Sequence, residues 1–211
     1  IRSVRDLQGK RVNLGNIGSG HLQNARDVLM AAGLTEEDLA SEHVRALEAP
    51  GLLQDGRIDA FFYTVGHPNS SIEEATFGQV RIRIIPVDGE MADRLVERWP
   101  YYSESVIPHA YYRRAANEED IASVGVKTTV VTSAHTADDV VYAITREVFE
   151  NFEEFKDLHP AYRNLTRLDM LKGLTAPIHP GAMRYYRQAG LDEHIPAKLV
   201  PPGPSDREGS P

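Results

Sequence analysis

Residues 11–30, RVNLGNIGSGHLQNARDVLM, decide the fold. The first four residues alternate polar and apolar. Gly15, Gly18 and Gly20 follow, with Ser19 between the last two. The apolar spacing then changes to Leu22, Ala25, Val28/Leu29 and Ala32. A switch from period 2 to period 3.6 reads as strand, glycine loop, helix. Ser19 suits an N-cap, because its hydroxyl can accept an orphan amide of the first turn. Gly18 and Gly20 remove side chains where backbone N–H groups converge, so the helix start is a candidate anion site. The plainer alternative is a tight βα turn, glycine-rich for steric reasons only. The order Gly15-x-x-Gly18-x-Gly20 is neither the GxGxxG of dinucleotide folds nor a Walker loop, and Ile17 and His21 exclude a nucleophile elbow.

Working outward, residues 4–10, VRDLQGK, form a turn into the first strand, and Gly33 suits the C′ position of the helix. Thr35 and Asp38 resemble a capping pair. A strand is expected over 44–47, and a short helical turn from Pro50 to Gly56. Residues 58–65, IDAFFYTV, form the continuous apolar run of a strand buried on two faces. Ser70 and Glu73 suggest a capping box for a helix ending at Gly78. A strand is expected over 80–87, then a helix whose inner face carries Met91, Leu95, Val96 and Trp99, ending before Pro100. This βαβαβα order implies a mainly parallel sheet with helices on both faces.

Beyond it, the β-branched run 124–132 reads as a long strand. Thr136 and Asp139 are expected to cap a helix with Val141, Ile144, Val148 and Phe149 facing inward. Helical segments follow over 152–158, 166–172 and 181–189. These last helices lack a sheet to cover, which suggests that their strands lie outside the 211 residues. The last sixteen residues, 196–211, hold five prolines and little apolar content and are expected to be extended or disordered. The domain reading is 1–123, then 124–195, then the tail 196–211.

Composition bounds the chemistry. No apolar run approaches the ~18 residues of a membrane span. The net charge of −8 with interspersed signs gives no nucleic-acid footprint. The lack of cysteine removes disulfides, thiolate catalysis and cysteine metal sites, and suits an extracytoplasmic protein. The chain starts at Ile1 without Met or signal peptide, so a processed protein or a fragment is expected. The eight histidines fall in no ligand spacing, so neither a metal nor a cofactor is expected. Acidic clusters at 36–38, 118–120 and 153–154 are explained by helix dipoles. The tyrosine pairs 101/102, 111/112 and 185/186 either line a cleft or sit half-buried with hydroxyls outward. No nucleophile–base pair stands out, and no catalytic residue is assigned.

Several stretches together carry a family resemblance. They are DLQGKRVNLGNIGSGHLQNAR (6–26), DGRIDAFFYTVGHPNSSIEEA (55–75), YYSESVIP (101–108) with Tyr112, the run 124–151, and HPGAMRYYRQAGL (179–191). They resemble the TAXI family, the extracytoplasmic solute-binding proteins of one class of TRAP transporters. The family pattern is close to GSGT-x-x-NAR, IDAFF-x-x-x-G-x-PN and HPGA-x-x-YY, in that order. This sequence departs from it at His21 for Thr, at Arg113-Arg114 for Pro-Gly, at Gln188 for an acid, and in lacking the N-terminal portion.

The resemblance implies a type II periplasmic-binding-protein-like α/β fold, with two lobes of mainly parallel sheet, a hinge, and the first lobe incomplete in this chain. It implies a non-enzymatic, monomeric receptor that lies outside the cytoplasm, behind a signal peptide upstream of this chain. Such a receptor captures a small carboxylate, an amino acid such as glutamate or a dicarboxylate, and delivers it to TRAP membrane permease subunits. The alternative is an enzyme or an intracellular effector-binding domain on the same fold. In open α/β sheets ligands bind beyond the carboxyl ends of the strands. Ser19, Gly20 and His21 are therefore expected to offer amides and side chains to a carboxylate. Asn24 either bonds the ligand or fixes the loop. Tyr63 and His67, with Gly66 and Pro68 of the second turn, close the other side.

Overall fold

The computed structural model describes residues 1–201. The chain divides into two compact units, Ile1–Lys127 and Thr128–Pro211. The fold is mixed α/β with a parallel sheet, consistent with a periplasmic-binding-protein-like architecture.

After a 3-10 turn at Val4–Leu7, the first unit runs through strand β1 (Arg11–Asn13), helix α1 (Gly20–Ala32), strand β2 (Ala40–Glu42), helix α2 (Ala49–Gln54) and strand β3 (Ala60–Phe61). These strands form a parallel sheet in the order β2-β1-β3, with Val12 opposite Ser41 and Ala60. β1 is thus central, and Val12 and Leu14 are fully buried. The inner face of α1, which carries Leu22, Ala25, Val28, Leu29 and Ala32, packs into the same core. The helix ends as expected at Gly33, which takes a left-handed φ of 81° and donates back to Leu29 and Met30. Helix α3 (Ser70–Phe77) is capped by Asn69, whose side-chain oxygen accepts from Ser71 and Ile72, rather than by the expected Ser70–Glu73 box.

Helix α4 (Gly89–Arg98) buries Leu95 in the core of α1, while Val96, expected inside, is exposed. Strands β4 (Tyr102–Ile107) and β5 (Ile121–Val126) then pair antiparallel, Tyr102 opposite Val126 and Ile107 opposite Ile121.

Four expected strands differ. The run 58–65 is a strand only at Ala60–Phe61, and both residues are half-buried rather than covered on two faces. The strand of the first sheet after α1 is Ala40–Glu42, and 46–48 is a 3-10 turn, so the expected strand at 44–47 is absent. Residues 80–87 form no strand: Ile84 exchanges both its backbone bonds with the side-chain amide of Asn117, at 2.9 Å each. The run expected as a strand over 124–132 pairs only as far as Val126, and Val130 and Val131 are 91% and 72% exposed. β-branched content marked the stretch, but the partner strand β4 sets where pairing stops.

The second unit has helices α5 (Asp138–Glu150), α6 (Phe152–Asp157) and α7 (Pro180–Gln188), and no strand among its described residues. Ala137, not Thr136, stands at the N-cap of α5, and the Thr136 hydroxyl bonds Thr132. Phe149 is buried with Leu171 and Tyr185, but Ile144, expected inside, is exposed. α5 and α7 cross at Gly181, where any Cβ would overlap the Asp138 carbonyl oxygen and lie 2.9 Å from the Tyr142 nitrogen. The HPGA stretch is explained locally. His179 Nδ1 accepts from Gly181 N–H, Pro180 occupies the first turn, and Gly181 lets two backbones touch.

Residues 196–201 belong to this packing rather than to an extended tail. Leu199 is buried against Met183 and Ile195, and its carbonyl accepts from Ile178. The rest of the expected disordered tail, 202–211, lies outside the described residues.

Candidate functional site

The loop after β1 is held by a buried polar frame. Asn13, the last residue of β1, is fully buried and its side-chain oxygen accepts from Gly15 N–H (3.2 Å) and Val44 N–H (3.1 Å). Gly15 has φ 98°, and a Cβ there would press on His21 Cβ at 3.0 Å, so glycine is required twice over. His43 Nδ1 donates to the Gly15 carbonyl (3.2 Å), and its Nε2 meets Glu36 at 2.7 Å. Arg26 beside Glu36, then His43, hold that carboxyl below its ordinary range.

Ser19 is committed within the loop. Its amide donates to Asn16 carbonyl (3.1 Å), and its hydroxyl caps α1 by accepting from Leu22 (3.2 Å). The amides of Gly20 and His21 have no hydrogen-bond partner among the described residues. They open the 13-residue α1, whose aligned peptide dipoles favour an anion there. A Cβ on Gly20 would meet nothing within 4 Å, and Gly20 is exposed.

The expected site residues fall into two groups. In the first, His21 stands edge-on to Tyr63, ring centroids 5.3 Å apart, and its Nδ1 is buried without a partner. Asn24 donates to Thr64 Oγ1 (3.0 Å) and accepts from Tyr102 Oη (3.1 Å), so its amide ties α1 to the stretch after β3 at one end and to the start of β4 at the other. Of the two roles open to Asn24, fixing the loop is the one this geometry serves.

In the second group, exposed Gly66 leads into a cis His67–Pro68 bond. His67 Nδ1 lies 2.7 Å from Tyr112 Oη, and that oxygen accepts from Asn69 N–H at 2.8 Å. Burial pushes the His67 imidazolium below its ordinary range and the Tyr112 phenol above its own.

Pattern reading did not single out Asn13, Asp27 or Thr64 in this framework. Asp27 is 1% exposed, on α1, and accepts from Gln23 (2.8 Å) and Tyr102 (2.9 Å). The detectable signal was a carboxylate at a core position of an otherwise clean amphipathic stripe, next to Ala25, Val28 and Leu29. The Tyr102 hydroxyl donates there, and burial, then Asp27, pushes its ionisation well above the usual phenol range.

Residues 1–190 match the model of the NMT1-like family. The chain belongs to that family. The family is periplasmic-binding-like, which makes the protein a solute-binding receptor in the general sense, one that takes a small-molecule ligand. No helix among the described residues is long and apolar enough to cross a membrane. No group of three or more histidine, aspartate or glutamate side chains among them could hold a metal ion.

Proposed function

We propose that this member of the NMT1-like family is the extracytoplasmic receptor of a TRAP transporter of the TAXI type. It captures a small carboxylate such as glutamate or a related dicarboxylate and hands it, unchanged, to membrane permease subunits. The observation that carries the reading is the pair of unpartnered amides, Gly20 and His21, at the start of α1 beyond the carboxyl end of the central strand. Partial positive charge and two donors suit a carboxylate. His21 with Tyr63 supplies a wall beside them. The ordered GSG-x-x-x-NAR, IDAFF…G-x-PN and HPGA-x-x-YY elements add the transporter class. The protein acts as a monomer and not as an enzyme.

Gly20→Val tests this. The new side chain meets no protein atom at Cβ, so the fold tolerates it, and it adds bulk at the residue whose amide would hold the carboxylate. Titration calorimetry with L-glutamate and a panel of small dicarboxylates should give at least a tenfold loss of affinity, since one charge-assisted bond is worth roughly 1.5–3 kcal/mol. Far-ultraviolet dichroism should stay near wild type, and the amide analogue of the bound acid should bind more weakly than the acid. Wild-type affinity in a folded Gly20→Val protein would reduce the loop to a turn. A product detected by NMR after long incubation would favour an enzyme.

A further inference from the structure

The contacts around Tyr112 fix the protonation of the histidine beside it. Tyr112 is 1% exposed, and its hydroxyl has two neighbours among the described residues, Asn69 N–H at 2.8 Å and His67 Nδ1 at 2.7 Å. A backbone N–H can only donate, so Asn69 fills an oxygen lone pair. If His67 Nδ1 also carried a proton, the phenol proton would be left buried with no acceptor, a strongly disfavoured arrangement. The phenol therefore donates to Nδ1, and the ring proton sits on Nε2. Nε2 has no hydrogen-bond partner among the described residues, and it is not among the buried side-chain atoms closed off from contact. The edge-on packing of the two rings, centroids 5.6 Å apart, holds this orientation.

We propose that Tyr112 is a positioning residue that locks His67 as a neutral Nε2–H donor, and that this donor selects a hydrogen-bond acceptor oxygen of the solute. The second half rests on the solute-receptor reading above. A neutral donor differs from a cation in what it accepts. It serves a carboxylate or a carbonyl oxygen alike, and it rejects an ammonium or amide N–H at the same position. His67 thereby adds a specificity element that does not depend on solute charge, distinct from the amides at the start of α1.

The test begins without ligand. In protein labelled with 15N-histidine, long-range proton–nitrogen correlation at neutral pH should show His67 Nδ1 as an unprotonated and Nε2 as a protonated ring nitrogen. Tyr112→Phe, which keeps the packed ring, should shift His67 toward the other tautomer. A protonated Nδ1 in the wild type overturns the proposal by itself, whether or not the variant folds. A folded Tyr112→Phe with an unchanged His67 signature overturns the role of Tyr112. With L-glutamate as the probe, His67→Gln, which retains an N–H donor, should keep most of the affinity. His67→Leu should lose roughly five- to tenfold, the worth of one neutral hydrogen bond. Wild-type affinity in His67→Leu removes the donor role. Failure of L-glutamate and the dicarboxylate panel to bind the wild type removes the small-carboxylate reading and the donor role toward such a solute together, and the tautomer is still decided by the ligand-free spectrum.

Discussion

In the first unit three short parallel strands bury Val12 and Leu14 completely, together with Leu29 of α1 and Leu95 of α4. In the second, helices α5 and α7 gather two small clusters, one around Phe149, Leu171 and Tyr185, the other around Met183, Ile195 and Leu199. Both units leave large apolar side chains exposed, Ile17, Leu47 and Phe77 in the first and Val130, Val131 and Ile144 in the second, so the contrast lies in the cores. The contrast extends to glycine. Gly20 in the first unit faces open space, whereas Gly181 in the second sits against the backbone of α5. One glycine leaves room for something outside the chain, and the other leaves room for the chain itself.

The largest expected effect follows from that difference. A methyl group on Gly181 would overlap a backbone carbonyl, which cannot rotate away, so α5 and α7 must separate. Overpacking of this kind costs roughly 1–3 kcal/mol or more, against clusters that are small to begin with. Gly181→Ala should lower the denaturation midpoint of the second unit clearly and leave the first unit's signal in place. Gly20→Ala should leave both nearly unchanged. Chemical denaturation with fluorescence of Trp99 for the first unit and hydrogen exchange of α5 and α7 amides for the second separates the two. Equal loss of stability in the two variants would break the comparison.

How far the sequence announces these structures differs along the chain. β1, the glycine loop and α1 were legible because an apolar period, an N-cap serine and a C-terminal glycine all mark the same boundaries. Residues 80–87 read as a strand by the same rules, yet at Ile84 the side chain of Asn117 supplies the bonds a neighbouring strand would give. No local pattern encodes a side chain 33 positions away standing in for a strand. β5 was misplaced because antiparallel pairing with β4 determines where it starts and ends.

Within the candidate site, Ser19, Gly20 and His21 were visible from spacing. The separation of labour among them was not, since it depends on Ser19 turning its amide to Asn16 while the next two amides remain open. Asn13 and Asp27 escaped notice because a lone polar residue in an apolar stripe acquires its meaning only from partners brought in by the fold, here Val44 and Tyr102.

A smaller effect sharpens the division inside the loop. Ser19 serves as a cap, and its hydroxyl bonds Leu22 rather than pointing outward. Ser19→Ala should therefore destabilise the first unit by about 1 kcal/mol and alter L-glutamate affinity far less than Gly20→Val does. Paired melting curves and calorimetry decide this. A Ser19→Ala protein of wild-type stability but strongly reduced affinity would mean that the hydroxyl turns to the ligand instead.

The smallest effect compares one carboxylate from each unit. Asp59 is held at about 2, first by the side chain and then by the backbone N–H of Arg11. Asp169 is also held at about 2, first by Thr166 and then by Lys172. Both lie below the unfolded value of ~3.9. A depressed folded pKa means that the unfolded chain binds the proton first as pH falls, so each stabilisation is present above pH ~4 and is lost as pH drops toward about 2. Their reach differs. Asp59 joins the entry of β3 to Arg11 of β1, 48 residues away, with oxygen–nitrogen contacts of 2.6–3.0 Å, whereas the partners of Asp169 lie three residues away on either side. Both pairs are largely in contact with solvent, so each contributes at most about 1 kcal/mol. Asp59→Asn should flatten the acid limb of the first unit's stability curve and lower hydrogen-exchange protection along β1 and β3. Asp169→Asn should affect only the turn around Thr166 and Lys172. If Asp59→Asn leaves protection in β1 unchanged between pH 5 and 3, the long-range pair does not hold the sheet edge together, and the buried contacts of Val12 and Leu14 suffice.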